Sequence, residues 1–187
     1  MAAMSTATLD ETTDLLRRTP AVLRALLSGL PDRWTDTPDV DGGWRPHDVV
    51  GHLISAELDD WIPRTERILE DGTTKPFDPF DRFAHVDRDA GQPLDALIER
   101  FAELRAENLE RLAVLVSSDS DLDRRGIHPP LGEVTLGQLL ATWAVHDLDH
   151  VAQVYAGLAG SHDAATGPWR AYLGIVLRRE DPAAVPD

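Results

Sequence analysis

Residues 135–157, TLGQLLATWAVHDLDHVAQVYAG, constrain this chain more than any other stretch. Leu136, Leu139, Leu140, Trp143, Val151 and Val154 recur at three- and four-residue intervals, which predicts a helix with one buried stripe. His146 and His150 lie within it. Their spacing is about 400° of rotation, so the two imidazoles share a face, one turn apart. They also lie beside the apolar stripe, since His146 follows Trp143 by three residues and Leu139 by seven. A histidine aimed into a bundle must find a partner or stay neutral. A metal ion shared by the pair is one solution; satisfied or exposed histidines are the ordinary alternative.

No cysteine occurs anywhere in the 187 residues. Disulfides, thiolate ligands and a cysteine nucleophile are therefore excluded, and a metal site must be built from His, Asp and Glu. The net charge of −15 disfavours nucleic acid and anionic lipid as partners. No apolar run is long enough to cross a membrane. The start, MAAMSTATLDETTD, has neither a basic nor an apolar segment of the kind a secretory signal needs, so a cytoplasmic location is the expectation. The length suits one domain over 1–187, with a core of about 6–176 and a polar tail at 177–187.

Three further helices are predicted. Residues 6–30 carry the stripe Leu9, Thr13, Leu16, Val22, Leu23, Leu26 and Leu27, interrupted by Pro20, which predicts a kink. The loop that follows contains Trp34 and Trp44, expected to plug an open end of a bundle. The second helix opens at Pro46, runs to Gly72 and should bend at Pro63, where Asp59 loses its hydrogen-bond donor. His52 lies in its apolar face, between Val49 and Leu53, and is the third candidate ligand. Glu57, five residues on, is a candidate catalytic or supporting carboxylate, with a surface salt bridge as the alternative; His47, in the first turn, reads as exposed. Residues 73–92 form a long connection in which Phe77, Phe80 and Phe83 would hold the chain to the bundle and His85 reads as solvated. The third helix, 93–117, has an apolar stripe from Leu94 to Leu115; its Arg and Glu residues read as a solvated surface without chemistry. Residues 119–134 suggest a small hairpin, Thr135 should cap the fourth helix, and Trp169, Tyr172, Leu173 and Val176 suggest a short final helix.

The expected fold is all-α: a four-helix bundle with long crossover connections and a short C-terminal helix. Such bundles build metal sites from side chains on facing helices. His52 would meet His146 and His150, and three neutral imidazoles suit a borderline divalent cation such as zinc, nickel, cobalt or iron. Three protein ligands leave a position open, which is the catalytic pattern. Asp147 and Asp149 flank the ligands but lie off their face. Gln153 follows His150 by one turn and could hydrogen-bond a ligand. Trp143 and Tyr155 read as packing residues.

The segments WRPHDVVGHLISAE at 44–57 and TLGQLLATWAVHDLDHVAQ at 135–153, with GPWRAYL at 167–173, resemble the DinB-like (YfiT-like) metal-binding four-helix bundles. The resemblance implies up-down-down-up topology, a metal held by His52, His146 and His150, and a homodimer. It also implies kinship with enzymes that use mycothiol or bacillithiol as cosubstrate, alongside others resembling hydrolases. The leading expectation is a metal-dependent low-molecular-weight-thiol S-transferase acting on a small molecule, with zinc or nickel as the metal. The alternatives are a metal-dependent hydrolase, with Glu57 or an Asp as base, and a bundle that binds metal or a small ligand without turnover.

Overall fold

The computed structural model describes residues 8–177, so Thr6 and most of the expected polar tail lie outside the described residues. The first rod of the bundle is broken into α1 (Leu9–Leu16) and α2 (Thr19–Leu27), with Pro20 in the first turn of α2, where a missing N–H costs nothing. Thr8 caps α1 in a box with Glu11. After the single turn α3 (Asp32–Thr35), the second rod consists of α4 (Pro46–Asp59) and α5 (Trp61–Asp71). The break at Asp60 (φ −114°, ψ −72°) lies three residues before Pro63, whose ring and absent N–H prevent a continuous helix.

The third rod is α7 (Leu94–Leu115), reached through a connection that carries the short helix α6 (His85–Arg88). A link of this length lets rods two and three run in the same direction, as the up-down-down-up order requires. A hairpin of β1 (Arg125–His128) and β2 (Gly132–Thr135) then leads into the fourth rod, α8 (Leu136–Gly160). Thr135 accepts from the Gln138 N–H, and the Gln138 side chain returns to the Thr135 N–H, which closes a capping box. The expected final helix is instead a 3-10 segment, Asp163–Tyr172, followed by α9 (Gly174–Leu177). Gly167 (φ 53°) and Pro168 break regular helix there, and Trp169 and Tyr172 project into solvent while Val176 is buried.

Two apolar clusters fill the bundle. One centres on Leu16, Ile68, Leu112, Leu136, Leu140 and Trp143; the other on Leu23, Val49, Val50, Ile98, Phe101 and Val154. Between them lies a polar layer. Arg105 of α7 is 1 % exposed and reaches Glu57 of α4, Asp147 of α8 and the Leu16 carbonyl of α1, so one guanidinium ties the third rod to the other three. This corrects the reading of α7 as a helix without chemistry. Arg105 lies four residues beyond Phe101 and four before Leu109, within the buried stripe itself.

The long connection is pinned where it crosses α4. Arg88 donates to the Gly51 carbonyl (2.8 Å) and to Ser55 Oγ (2.9 Å), and it pairs with Asp89. Gly51 is required by this close approach, because a Cβ there would lie 2.7 Å from Asp89 Oδ2 and 3.0 Å from His85 Cβ. His85 is therefore not solvated. It is 2 % exposed, wedged beneath Trp44 with the ring centres 5.0 Å apart. The periodicity of α4 cannot show what crosses it. His47 likewise is not free in solvent, since its Nε2 donates to the Gln92 carbonyl (2.9 Å).

Candidate metal centre

His52 on α4 faces His146 and His150 on α8. Nε2 of His146 lies 3.1 Å from Nε2 of His52 and 3.0 Å from Nε2 of His150. One nitrogen from each ring falls within 4.8 Å of the others, and among the described residues this is the group able to hold a metal ion. The outer nitrogens fix two of the tautomers. His52 Nδ1 donates to the Arg82 carbonyl (3.2 Å), and His150 Nδ1 donates to Gln153 Oε1 (2.8 Å). Both rings thus turn an Nε2 lone pair inward.

These lone pairs converge on His146 Nε2, which can offer a single proton between them. One of the two approaches near 3 Å is then left without a proton between the nitrogens. A cation at the point of convergence satisfies all three nitrogens at once, so the donor set fits a divalent metal. Burial, together with the neighbouring imidazoles, pushes the pKa of His52 down to about 3 and that of His146 to about 2, and burial lowers that of His150. All three are neutral at physiological pH, the form that binds metal.

The metal-free protein should lose stability in acid for this reason. An unfolded histidine takes up its proton near pH 6.5, whereas His52 and His146 resist until about pH 3. The unfolded chain binds more protons in that interval. The stabilisation is full above pH 6.5 and falls as pH drops, by up to about 1.4 kcal/mol per unit for each histidine. Urea unfolding with chelator at pH 7 and pH 5.5 should show a larger drop for the parent than for a variant with all three changed to Gln. Equal drops would contradict neutral burial.

The histidines line a cavity of about 800 Å³. Trp44 covers them, its ring centre 4.7 Å from that of His52 and 6.0 Å from that of His150. It is a wall of the site, where the sequence suggested only a plug for the bundle end; Trp34 instead stacks on His162 at 3.9 Å. Phe80 and Phe83 line the same space, as do Arg64, Arg82 and Asp60. Asp60 is 6 % exposed, and burial raises its pKa to about 6 against the opposing charge of Arg64. The sequence did not single out Asp60, Arg64 or Arg82; the one available signal was Pro63, which breaks the helix at Asp60.

Glu57 is not among the residues lining the cavity. It is 2 % exposed and accepts from Arg105 (2.8 Å), Asn108 (3.0 Å) and Trp143 Nε1 (3.1 Å). Its salt bridge is buried, not at the surface. Asp147 is not solvated either, since it pairs with Arg105 Nη1 at 2.6 Å. Asp149 does reach the cavity wall. Gln153 holds the expected place beside His150. Replacing it with Leu should lower metal affinity about 10–100-fold without unfolding the chain, as loss of a partner that orients a ligand does. Competitive titration against a chromophoric chelator measures this, and unchanged affinity would remove Gln153 from the site.

The sequence profile of the DinB superfamily matches residues 15–154. A protein of Geobacillus kaustophilus named "putative metal-dependent hydrolase" is 33 % identical over 143 residues, covering 74 % of this chain and 78 % of that one. YfiT of Bacillus subtilis, with the same designation, is 26 % identical over 148 residues, covering 78 % and 81 %. The solved structure of YfiT, described as a probable metal-dependent hydrolase with an unusual four-helix bundle topology, superposes with a TM-score of 0.71 at 25 % identity, over 86 % of this chain and 90 % of YfiT. With three convergent imidazoles on facing rods and a profile match across most of its length, the chain belongs to the DinB superfamily.

Proposed function

We propose that this protein is a metal-dependent enzyme in which His52, His146 and His150 hold one divalent cation, zinc or nickel, and that it transfers a low-molecular-weight thiol of the mycothiol or bacillithiol type. The observation that carries this reading is the placement of three inward-facing imidazole nitrogens on the wall of a cavity of about 800 Å³. A cavity of that size takes a drug-sized organic ligand, which leaves room for a low-molecular-weight thiol beside the histidines. A cation held there lowers the pKa of a thiol or a water molecule that binds it.

The protein's own groups supply the rest. The Arg82 carbonyl and Gln153 hold two imidazoles in register. Trp44, Phe80 and Phe83 give the cavity an apolar wall against which the reactants can lie. Asp60, titrating at about 6, is the wall carboxylate able to take up a proton near neutral pH. Glu57 acts at a distance, through Arg105 and Trp143, by fixing α8 rather than by meeting substrate.

Hydrolysis is the second reading, and the designations of the relatives favour it. Cobalt-substituted protein separates the two. Thiol addition should change the visible spectrum, and product should form from electrophiles only when thiol is present. Ester or amide turnover without thiol, with no spectral response to any thiol, would replace the transferase reading with the hydrolase one. We further propose a homodimer through α8. Val145, Leu148, Ala152 and Tyr155 form an exposed apolar row at heptad spacing. Sedimentation velocity of the parent beside Leu148→Glu tests this, and a monomeric parent would sink it.

A further inference from the structure

Arg82 stands out among the cavity's charged residues. Arg64 is committed to Asp60, its Nε 2.5 Å from Oδ1. The Arg82 guanidinium makes no ion pair or hydrogen bond to another side chain among the described residues, although the chain carries a net charge of −15. Asp41 and Asp149 border the same cavity, yet neither pairs with it. What it does touch is aromatic: its central carbon lies 5.5 Å from the Trp44 ring centre and 5.3 Å from that of Phe83. Its backbone is anchored beside the histidines, because the Arg82 carbonyl accepts from His52 Nδ1, while the side chain is exposed. Arg82 lines the same cavity as His52, His146 and His150.

A guanidinium resting on two ring faces is oriented in advance, so less side-chain freedom is lost when it binds. Its free donors form a planar fork that matches a carboxylate in two parallel hydrogen bonds. The rings beneath it offer an apolar surface continuous with that fork. We propose that the electrophilic substrate is a carboxylate-bearing compound with an aromatic or aliphatic body. The carboxylate pairs with Arg82, and the body lies against Trp44, Phe80 and Phe83. This rests on the cavity being the substrate site and specifies the chemical class that it takes.

The test is binding, not turnover, so that it stands apart from the thiol question. Phenylacetate and its neutral counterpart phenylacetamide are titrated by ligand-observed NMR into chelator-treated and metal-loaded parent, Arg82→Lys and Arg82→Gln. Circular dichroism melting confirms that each variant is folded. The expected result is a preference for phenylacetate of about 10-fold in the metal-free parent, of the order a charge-assisted pair supplies. Arg82→Lys should retain part of that preference, and Arg82→Gln should bring it to about one. Equal binding of the two probes by the metal-free parent would overturn the proposal. So would a preference that survives in Arg82→Gln, or one that appears only with metal, since the carboxylate would then be a ligand of the cation. A failed thiol or hydrolysis screen leaves the binding ratio intact and counts against the reaction alone.

Discussion

Arg105→Met should unfold this protein more readily than any other single change in its interior. The side chain is 1 % exposed and holds Glu57 and Asp147, two carboxylates that are themselves buried. Burial alone would lower the pKa of Arg105, but the two carboxylates outweigh it and raise the value, so the guanidinium remains charged. Burial in turn raises the pKa of Glu57, and Arg105 opposes that rise. Removing the cation leaves two like charges with no counter-ion and strands the Leu16 carbonyl. Loss of one partner from such a group costs about 3–5 kcal/mol. For a chain of this length that is a fall in Tm of roughly 6–20 °C. The triple variant Arg105→Met, Glu57→Gln, Asp147→Asn should recover part of the loss, because no buried charge is then left alone. If thermal melts put Arg105→Met within about 2 °C of the parent, the polar layer is not what joins the rods.

The second large effect is a change of sign at His146. In metal-free protein, His146 presents Nε2 to two other imidazole nitrogens, and its buried Nδ1 has no partner among the described residues. His146→Leu removes both penalties at similar volume and should leave the metal-free protein as stable as the parent or more so. With metal the order reverses. The parent gains about 4 kcal/mol at a free metal concentration 1,000 times its Kd, while a variant with two ligands gains little. Melting both proteins with chelator and with excess zinc or nickel gives four values whose crossing tests the idea. Parallel shifts in the two proteins would mean that the metal binds elsewhere.

The sequence displayed much of this, and the gaps have physical causes. His146 and His150 could be paired because a helix places residues four apart on one face, and His52 because it interrupts a run of core positions on α4. Pro20 and Pro63 announced the two broken rods through the hydrogen bonds they cannot make. Arg105 was equally visible, four residues from Phe101 and from Leu109, but a charge within a stripe reads as surface unless its phase is followed. His85, Arg82 and Trp44 lie in connections, where no periodicity links a residue to its neighbours. Their places depend on Arg88 clamping the crossover to Gly51 and Ser55. The partner of His52 Nδ1 is a backbone carbonyl, a group that every residue possesses and no residue type reveals. Gln153 could be foreseen because its partner lies one helical turn away.

The claim on which the rest depends is that His52, His146 and His150 together hold one metal ion. Elemental analysis of purified protein, beside a variant with all three changed to Ala and shown to be folded, tests it most directly. The account predicts about one equivalent of divalent metal per chain in the parent and none in the variant. A parent that binds no metal when zinc, nickel and cobalt are supplied, or a variant that retains it, would contradict the account.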